Sequence, residues 1–257
     1  MSEALRAEWT KLRTLTSTGW LLVGTVALTI AVSAGVAATI HVSAAGVTQD
    51  PTKVSLIGID VGQVVIAVFA ILAISEEYGT GMIRVSLSAM PRRLELVVAK
   101  AANVAGLALV TGLLAVAGCL VAGRLMLPAH GLDPAHGYAF VSIMNGAIWR
   151  AAVGSVLYLV LIALLSLGVA TAIRDTSVSI GAVLGLLYLP PILAQLLTDP
   201  LRQHLEQVSP MIAGLAIQAT TNLRSLPIAP WAGLGVLALW AGAALLAGGI
   251  ALRLRDA

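Results

Sequence analysis

Six stretches of about twenty residues with almost no charge constrain this chain more than any other feature of its sequence. A helix that crosses the ~30 Å hydrocarbon core of a bilayer needs about 20 mostly apolar residues. The chain is 59% hydrophobic and only 11% charged, whereas soluble domains average about 25% charged residues. We therefore predict an all-α integral membrane protein with six transmembrane helices, over residues 19–40, 56–74, 101–121, 151–173, 177–197 and 231–252.

The segments that connect these spans are short, so we expect no separate soluble domain. We interpret residues 1–257 as a single transmembrane domain, with an interfacial helix at 1–18, a cytoplasmic loop at 75–100 and an external connection at 198–230. With the N-terminus inside, ten of the 15 Lys and Arg residues lie on the inner side and five on the outer side. Because cytoplasmic loops carry the excess of Lys and Arg, this predicts a multi-pass plasma membrane protein with both termini cytoplasmic.

The residue patterns of enzymes are missing from the sequence. The dipeptide Gly-Lys does not occur, so the chain has no phosphate-binding P-loop, and it has no H-E-x-x-H zinc motif. The net charge of +3 is modest and the basic residues gather at segment ends, a pattern typical of membrane orientation. We predict no catalytic residue, no metal site, no cofactor bound by this chain and no nucleic-acid partner.

The first 18 residues have the pattern of a basic amphipathic helix. Leu5, Trp9 and Leu12 share one helical face, flanked by Arg6 and Lys11. Such a helix suits the membrane interface, with its cations toward anionic headgroups, so membrane lipid is an expected partner. The alternative is a plain positive flank that orients the first span.

Polar residues inside the predicted spans are candidates to line a translocation path. Asp60 is the only carboxylate inside a span, and Gln63 lies one turn deeper. Ionisable residues at membrane depth mark substrate or ion paths by default, so Asp60, Gln63 and Asn103 are possible path-lining residues. Alternatively, Asp60 reaches the interface or pairs with a cation such as Lys53 or Arg150, and the two amides form hydrogen bonds between helices.

The charged loop between the second and third spans contains a short amphipathic helix pattern. Thr80 is a good N-cap and Pro91 would end the helix, while Ile83, Leu87 and Met90 repeat between them at i, i+4 and i+7. An apolar stripe with no core of its own favours docking into a partner's groove. A helix that lies on the membrane surface fits the same pattern.

The stretch EEYGTGMIRVSLSAMPRR, directly after the second span, resembles the first cytoplasmic loop of type-2 ABC transporter permeases, especially the short actinobacterial kind. AEWTKLRTLTSTGWLL resembles that family's N-terminal interfacial helix and first span, and WRAAVGSVLYLVLIALLSLGVATAIRDTSVSI and VSPMIAGLAI fit the same template. The family implies a six-helix exporter subunit that pairs with a second permease copy or a sister permease. It also implies partner ABC ATPase subunits, which bind the ATP and Mg.

By this resemblance, the segment around Thr80–Met90 is a coupling helix that seats in a cleft of the ATPase. The residues implied to contact the ATPase are Glu76, Glu77, Tyr78, Thr80, Met82, Ile83, Arg84, Leu87 and Met90. The external connection would hold two short helices, at Pro200–Val208 and Ser209–Leu223, with Ser209 as the cap of the second.

The leading functional hypothesis is a permease subunit of an ATP-driven ABC exporter, which is a transport subunit and not an enzyme. The alternative is a non-transporting membrane anchor or assembly protein whose loop binds a cytoplasmic partner. An ion-driven carrier is disfavoured because buried charge is scarce.

Overall fold

The computed structural model describes residues 16–40, 50–79, 93–130, 132 and 145–254. Most of these residues are helical, and none of them forms a β-strand. Three short 3₁₀ turns, at Leu127–His130, Ala216–Gln218 and Leu223–Ser225, supplement the α-helices. The α-helices are α1 (Thr16–Thr39), α2 (Pro51–Ser55), α3 (Ile59–Gly79), α4 (Arg93–Met126), α5 (Gly146–Ile173), α6 (Thr176–Ala194), α7 (Leu201–Val208), α8 (Pro210–Leu215) and α9 (Pro230–Leu254).

Five of these helices are long and apolar enough to cross a membrane. Their apolar stretches are Thr18–Thr39, Val97–Ala129, Gly146–Ile173, Thr176–Ala194 and Pro230–Leu254. They coincide with five of the six predicted spans, so an all-α fold with several helices long and apolar enough to span a membrane is confirmed for the described residues. Within the predicted second span, α3 carries a shorter apolar stretch, Ile59–Ser75.

The predicted third span is the centre of a longer helix. α4 has 34 residues and begins eight residues before the predicted span, because Arg, Leu, Glu, Ala and Lys in the preceding segment have good helix propensity. Lys100, the last residue of the predicted loop, is only 2% exposed, and its Nζ donates a hydrogen bond of 2.9 Å to the carbonyl of Ala73 in α3. The loop between α3 and α4 is correspondingly shorter than predicted.

Helix α5 lies at the centre of the bundle and contacts α3, α4, α6 and α9. Of its apolar stretch 61% is buried, against 22–39% in the other four long helices. The backbones of α5 and α9 approach closely at Gly168, where a Cβ atom would lie 2.5 Å from the carbonyl carbon of Ala244. Small residues permit this kind of packing between membrane helices. On the other side of the bundle, α1 packs against α3 and α4.

The chain direction alternates from helix to helix, which gives the bundle two ends. The turn end is defined by Arg174 and Asp175, the tight turn between α5 and α6. Arg174 is left-handed with φ 66°, and Asp175 caps α6 by accepting a hydrogen bond of 2.8 Å from the N–H of Val178. The opposite end, called the loop end, carries α2, α7, α8 and residues 195–229.

The connection at the loop end differs from its prediction in the second helix. α7 agrees with the first predicted helix, but α8 ends at Leu215 and a 3₁₀ turn continues it only to Gln218. Ser209 occupies the N-cap position, yet its buried hydroxyl makes no hydrogen bond among the described residues. The predicted helix to Leu223 does not form because the N–H groups of Thr220 and Thr221 bind a carboxylate instead.

Candidate functional site

The predicted path-lining residues fall in two places. Asp60 and Gln63 lie in the first two turns of α3 at the loop end, where Gln63 is fully buried and Asp60 is half-buried. Asn103 is half-buried on α4. That helix begins at the turn end, and Asn103 lies ten residues after its first residue. The structure therefore brings Asp60 and Gln63 together but does not bring Asn103 to them.

Gln63 is the centre of a buried polar cluster, which we call the Gln63 cluster. Its Nε2 lies 3.1 Å from the carbonyl oxygen of Asp60, 3.0 Å from the hydroxyl of Tyr188 and 3.4 Å from Sδ of Met211. Its Oε1 accepts a hydrogen bond from the hydroxyl of Tyr158, and the hydroxyl of Tyr188 donates to the carbonyl of Asp60. One side chain of α3 thereby joins α5, α6 and α8.

A cavity of about 500 Å³ lies beside Asp60 at the loop end, and we call it the loop-end cavity. Parts of α2, α3, α6, α7 and α8 and the residues that follow α8 line it, mostly with apolar side chains. Its charged side chains are Asp50, Lys53, Asp60 and Glu206. Of the two cations considered for Asp60, Lys53 shares the cavity, whereas Arg150 donates from Nη2 to the carbonyl of Ala219 at 2.6 Å.

Asp50 holds one wall of this cavity in place. Its Oδ1 caps α2 by accepting from the N–H groups of Thr52 at 3.1 Å and Lys53 at 3.3 Å, and it also accepts from the hydroxyl of Thr220 at 2.7 Å. Its Oδ2 accepts from the N–H groups of Thr220 and Thr221. A single carboxylate thus joins α2 to the segment after α8.

The loop-end cavity combines charges of both signs with apolar walls. Ligand sites in proteins are concave and mostly apolar, with a few polar groups that orient the ligand, so its composition suits binding of a small amphipathic molecule. Among the described residues, no three His, Cys, Asp or Glu side chains are grouped so that they could hold a metal ion.

Three of the residues implied to contact an ATPase fall within the described part of the chain. α3 ends at Gly79 at the turn end, so the backbones of Glu76, Glu77 and Tyr78 form its last turn, while their side chains lie outside the described part. The remaining predicted contacts also lie outside the described residues: Thr80, Met82, Ile83, Arg84, Leu87 and Met90. Most of the predicted interfacial helix lies outside them as well, and the ATPase contact stays a prediction.

Tyr158 and Tyr188, which complete the Gln63 cluster, are not among the residues predicted from the sequence. A signal was available, because only four tyrosines occur in the chain and these two fall inside predicted spans. A buried phenol usually finds a hydrogen-bond partner, so a tyrosine at membrane depth points to a polar group on a neighbouring helix.

No protein-family model matches this chain, and no curated protein matches it either.

Proposed function

We propose that this chain is the membrane-spanning permease subunit of an ATP-driven ABC exporter. Five long apolar helices support a multi-pass membrane protein, and the resemblance of residues 76–93 to the first cytoplasmic loop of type-2 permeases supports the transporter class. ATP and Mg would bind to a separate ATPase subunit, and a second permease copy or a sister permease would complete the membrane part.

In this proposal α3 is the second of six spans. Its 21 residues correspond to about 32 Å at 1.5 Å per residue, close to the ~30 Å hydrocarbon core. Just before α3, the N–H of Gly58 donates to Oγ of Ser33 in α1 at 2.9 Å. Near the other end, the carbonyl of Ala73 accepts from Lys100. These contacts support a helix that runs from the loop end to the turn end.

The proposed orientation puts the turn end in the cytoplasm. It rests on the ten-to-five distribution of the 15 Lys and Arg residues between the two sides and on the excess of such residues in cytoplasmic loops. Both termini are then cytoplasmic, the loop-end cavity faces the outside, and the protein resides in the plasma membrane.

The observation that carries the proposal is the continuity of α3. The predicted coupling segment, Thr80–Met90, directly follows this helix, and the first turns of the same helix carry Asp60 and Gln63 beside the loop-end cavity. When ATP binding closes the partner ATPases, the coupling segments move, and α3 carries that movement to the far end as one rigid element. The contacts around the loop-end cavity would then differ between the states with open and with closed ATPases, and this difference would change access to the cavity.

The proposal is tested by purifying the detergent-solubilised protein from its native membranes and identifying the co-purifying chains by mass spectrometry. We expect a stoichiometric P-loop ATPase. The co-expressed complex should hydrolyse ATP, and replacing both Ile83 and Leu87 with Asp should uncouple it by placing charges on the docking face. Ser88→Asp is the control, because the predicted helical periodicity places Ser88 away from the stripe of Ile83, Leu87 and Met90, and this variant should keep normal complex formation and hydrolysis.

Two results would count against the proposal. Unchanged ATPase binding and ATP hydrolysis in the double variant would show that this loop does not couple the two subunits. Stable capture of a partner that is not an ATPase, without any nucleotide-dependent conformational change, would favour a membrane anchor or assembly protein instead.

A further inference from the structure

An apolar groove of about 440 Å³ runs along the outside of the bundle between α4 and α5. The side chains that line it are uncharged except for Arg124. Several of them are largely exposed in the single chain, including Leu113 at 52% and Val153 at 41%. Both helices are of membrane-spanning length, so the groove opens toward the hydrocarbon of the bilayer.

The charged and aromatic residues of this groove gather at one end. Arg124 is exposed in the last turn of α4, and Trp149 is 54% exposed in the first turn of α5, so both lie at the loop end. Tryptophan and arginine are typical of the boundary between hydrocarbon and headgroups. This end of the groove therefore lies at headgroup level.

The length of the groove corresponds to one leaflet. From Arg124 to Leu109, α4 advances 15 residues, or about 22 Å at 1.5 Å per residue. Because the Arg124 end lies at headgroup level, the matching length is one leaflet with its headgroups, about half of the ~40–45 Å bilayer. A molecule with its charged group at Arg124 and an apolar chain of leaflet length fills the groove.

We propose that this groove binds an anionic phospholipid of the loop-end leaflet, with its phosphate on Arg124 and one acyl chain between α4 and α5. Among the residues that the structure describes, none forms an ion pair or hydrogen bond with the Arg124 guanidinium. A phosphate supplies the matching charge and the bidentate acceptor that a guanidinium prefers. An apolar partner helix in the groove would cover this cation without neutralising it. The lipid site is independent of the proposed transport function.

The test is native mass spectrometry of the full chain, reconstituted with equal amounts of phosphatidylglycerol and phosphatidylcholine that carry the same acyl chains. We expect the parent to retain phosphatidylglycerol preferentially. Arg124→Gln should lower the occupancy of phosphatidylglycerol about fivefold, because one basic residue near the membrane surface strengthens the binding of anionic lipid by about that factor. Arg224→Gln removes an exposed arginine of the same end outside the groove and should leave the occupancy unchanged.

A second pair of variants tests the path of the acyl chain. Ala117 is exposed in the groove, and Ala117→Trp should fill it and abolish retention of the lipid. Ala102→Trp adds the same bulk at an exposed position of α4 outside the groove and should not change retention. Equal retention of the two lipids, or parent-like retention in Arg124→Gln and Ala117→Trp, would overturn the proposal. Loss of a dimer in Ala117→Trp with unchanged lipid would overturn it in favour of an interface between two copies.

Discussion

Replacing Tyr158 with Phe should destabilise the bundle by about 1–2 kcal/mol. Tyr158 and Gln63 are both 0% exposed, and the tyrosine hydroxyl is a donor to Oε1 of the glutamine. Phenylalanine keeps the ring and its packing, so the change removes only the donor. A buried acceptor left without a partner costs about 1–3 kcal/mol, while hydrogen bonds between membrane helices average about 0.6 and reach about 1.7 kcal/mol. The expected loss lies where these ranges overlap.

A double-mutant cycle separates this hydrogen bond from other effects of the two side chains. Gln63→Leu alone leaves the Tyr158 hydroxyl buried without its acceptor. In the double variant both partners are apolar, and removing both partners of a buried hydrogen bond is much less costly than removing one. The double variant should therefore be more stable than the sum of the single effects predicts, by about 1 kcal/mol.

The measurement is the free energy of unfolding in mixed micelles, from an SDS titration followed by circular dichroism. Ser155→Ala is the matched control, because Ser155 lies one turn earlier on α5 and its buried hydroxyl has no partner among the described residues. That variant should be neutral or slightly stabilising. The stabilising role of this hydrogen bond is refuted if Tyr158→Phe costs no more than Ser155→Ala, or if the cycle is additive within about 0.5 kcal/mol.

Three further changes are expected to have defined effects. A Cβ on Gly58 would lie 1.9 Å from the carbonyl oxygen of Thr29, so Gly58→Ala should force α1 and α3 apart and cost about 2–3 kcal/mol in the same titration. A Cβ on Gly181 would meet no atom within 4 Å, so Gly181→Ala should stabilise α6 by about 0.5–1 kcal/mol. Equal effects of the two alanine substitutions would contradict the close packing of Gly58 against Thr29. Asp50→Ala removes the acceptor for Thr220 and Thr221 and should speed amide hydrogen exchange at residues 219–222, whereas Asp50→Asn, which keeps one acceptor oxygen, should have a smaller effect.

The apolar spans could be predicted from the sequence because hydropathy and length are read along one dimension. The partners of Gln63 could not, because Tyr158 and Tyr188 are 95 and 125 positions away and meet it only once three helices have fixed their rotations. The sequence does place each tyrosine and the glutamine inside an apolar span. It does not indicate which faces of α3, α5 and α6 pack against one another.

Two glycine pairs illustrate the same limit. Gly58–Gly62 and Gly181–Gly185 both match the G-x-x-x-G pattern of close helix packing. In the folded chain, the first pair lies against Thr29 of α1, while a Cβ atom on Gly181 would meet no other helix within 4 Å among the described residues. Asp50 shows the same dependence on the tertiary fold, since its role as a helix cap is local but its bonds to Thr220 cross 170 positions.

The central position of α5 determines when its two packing faces are covered during synthesis of the chain. Domains assemble from the N-terminal side as the chain emerges, so α5 arrives after α1, α3 and α4 and can pack on α3 and α4 at once. Its face around Gly168 stays exposed to lipid until α9 is delivered to it. A ribosome that stops before residue 230 leaves this face uncovered, so the arrival of α9 is the step that buries the central helix on both sides.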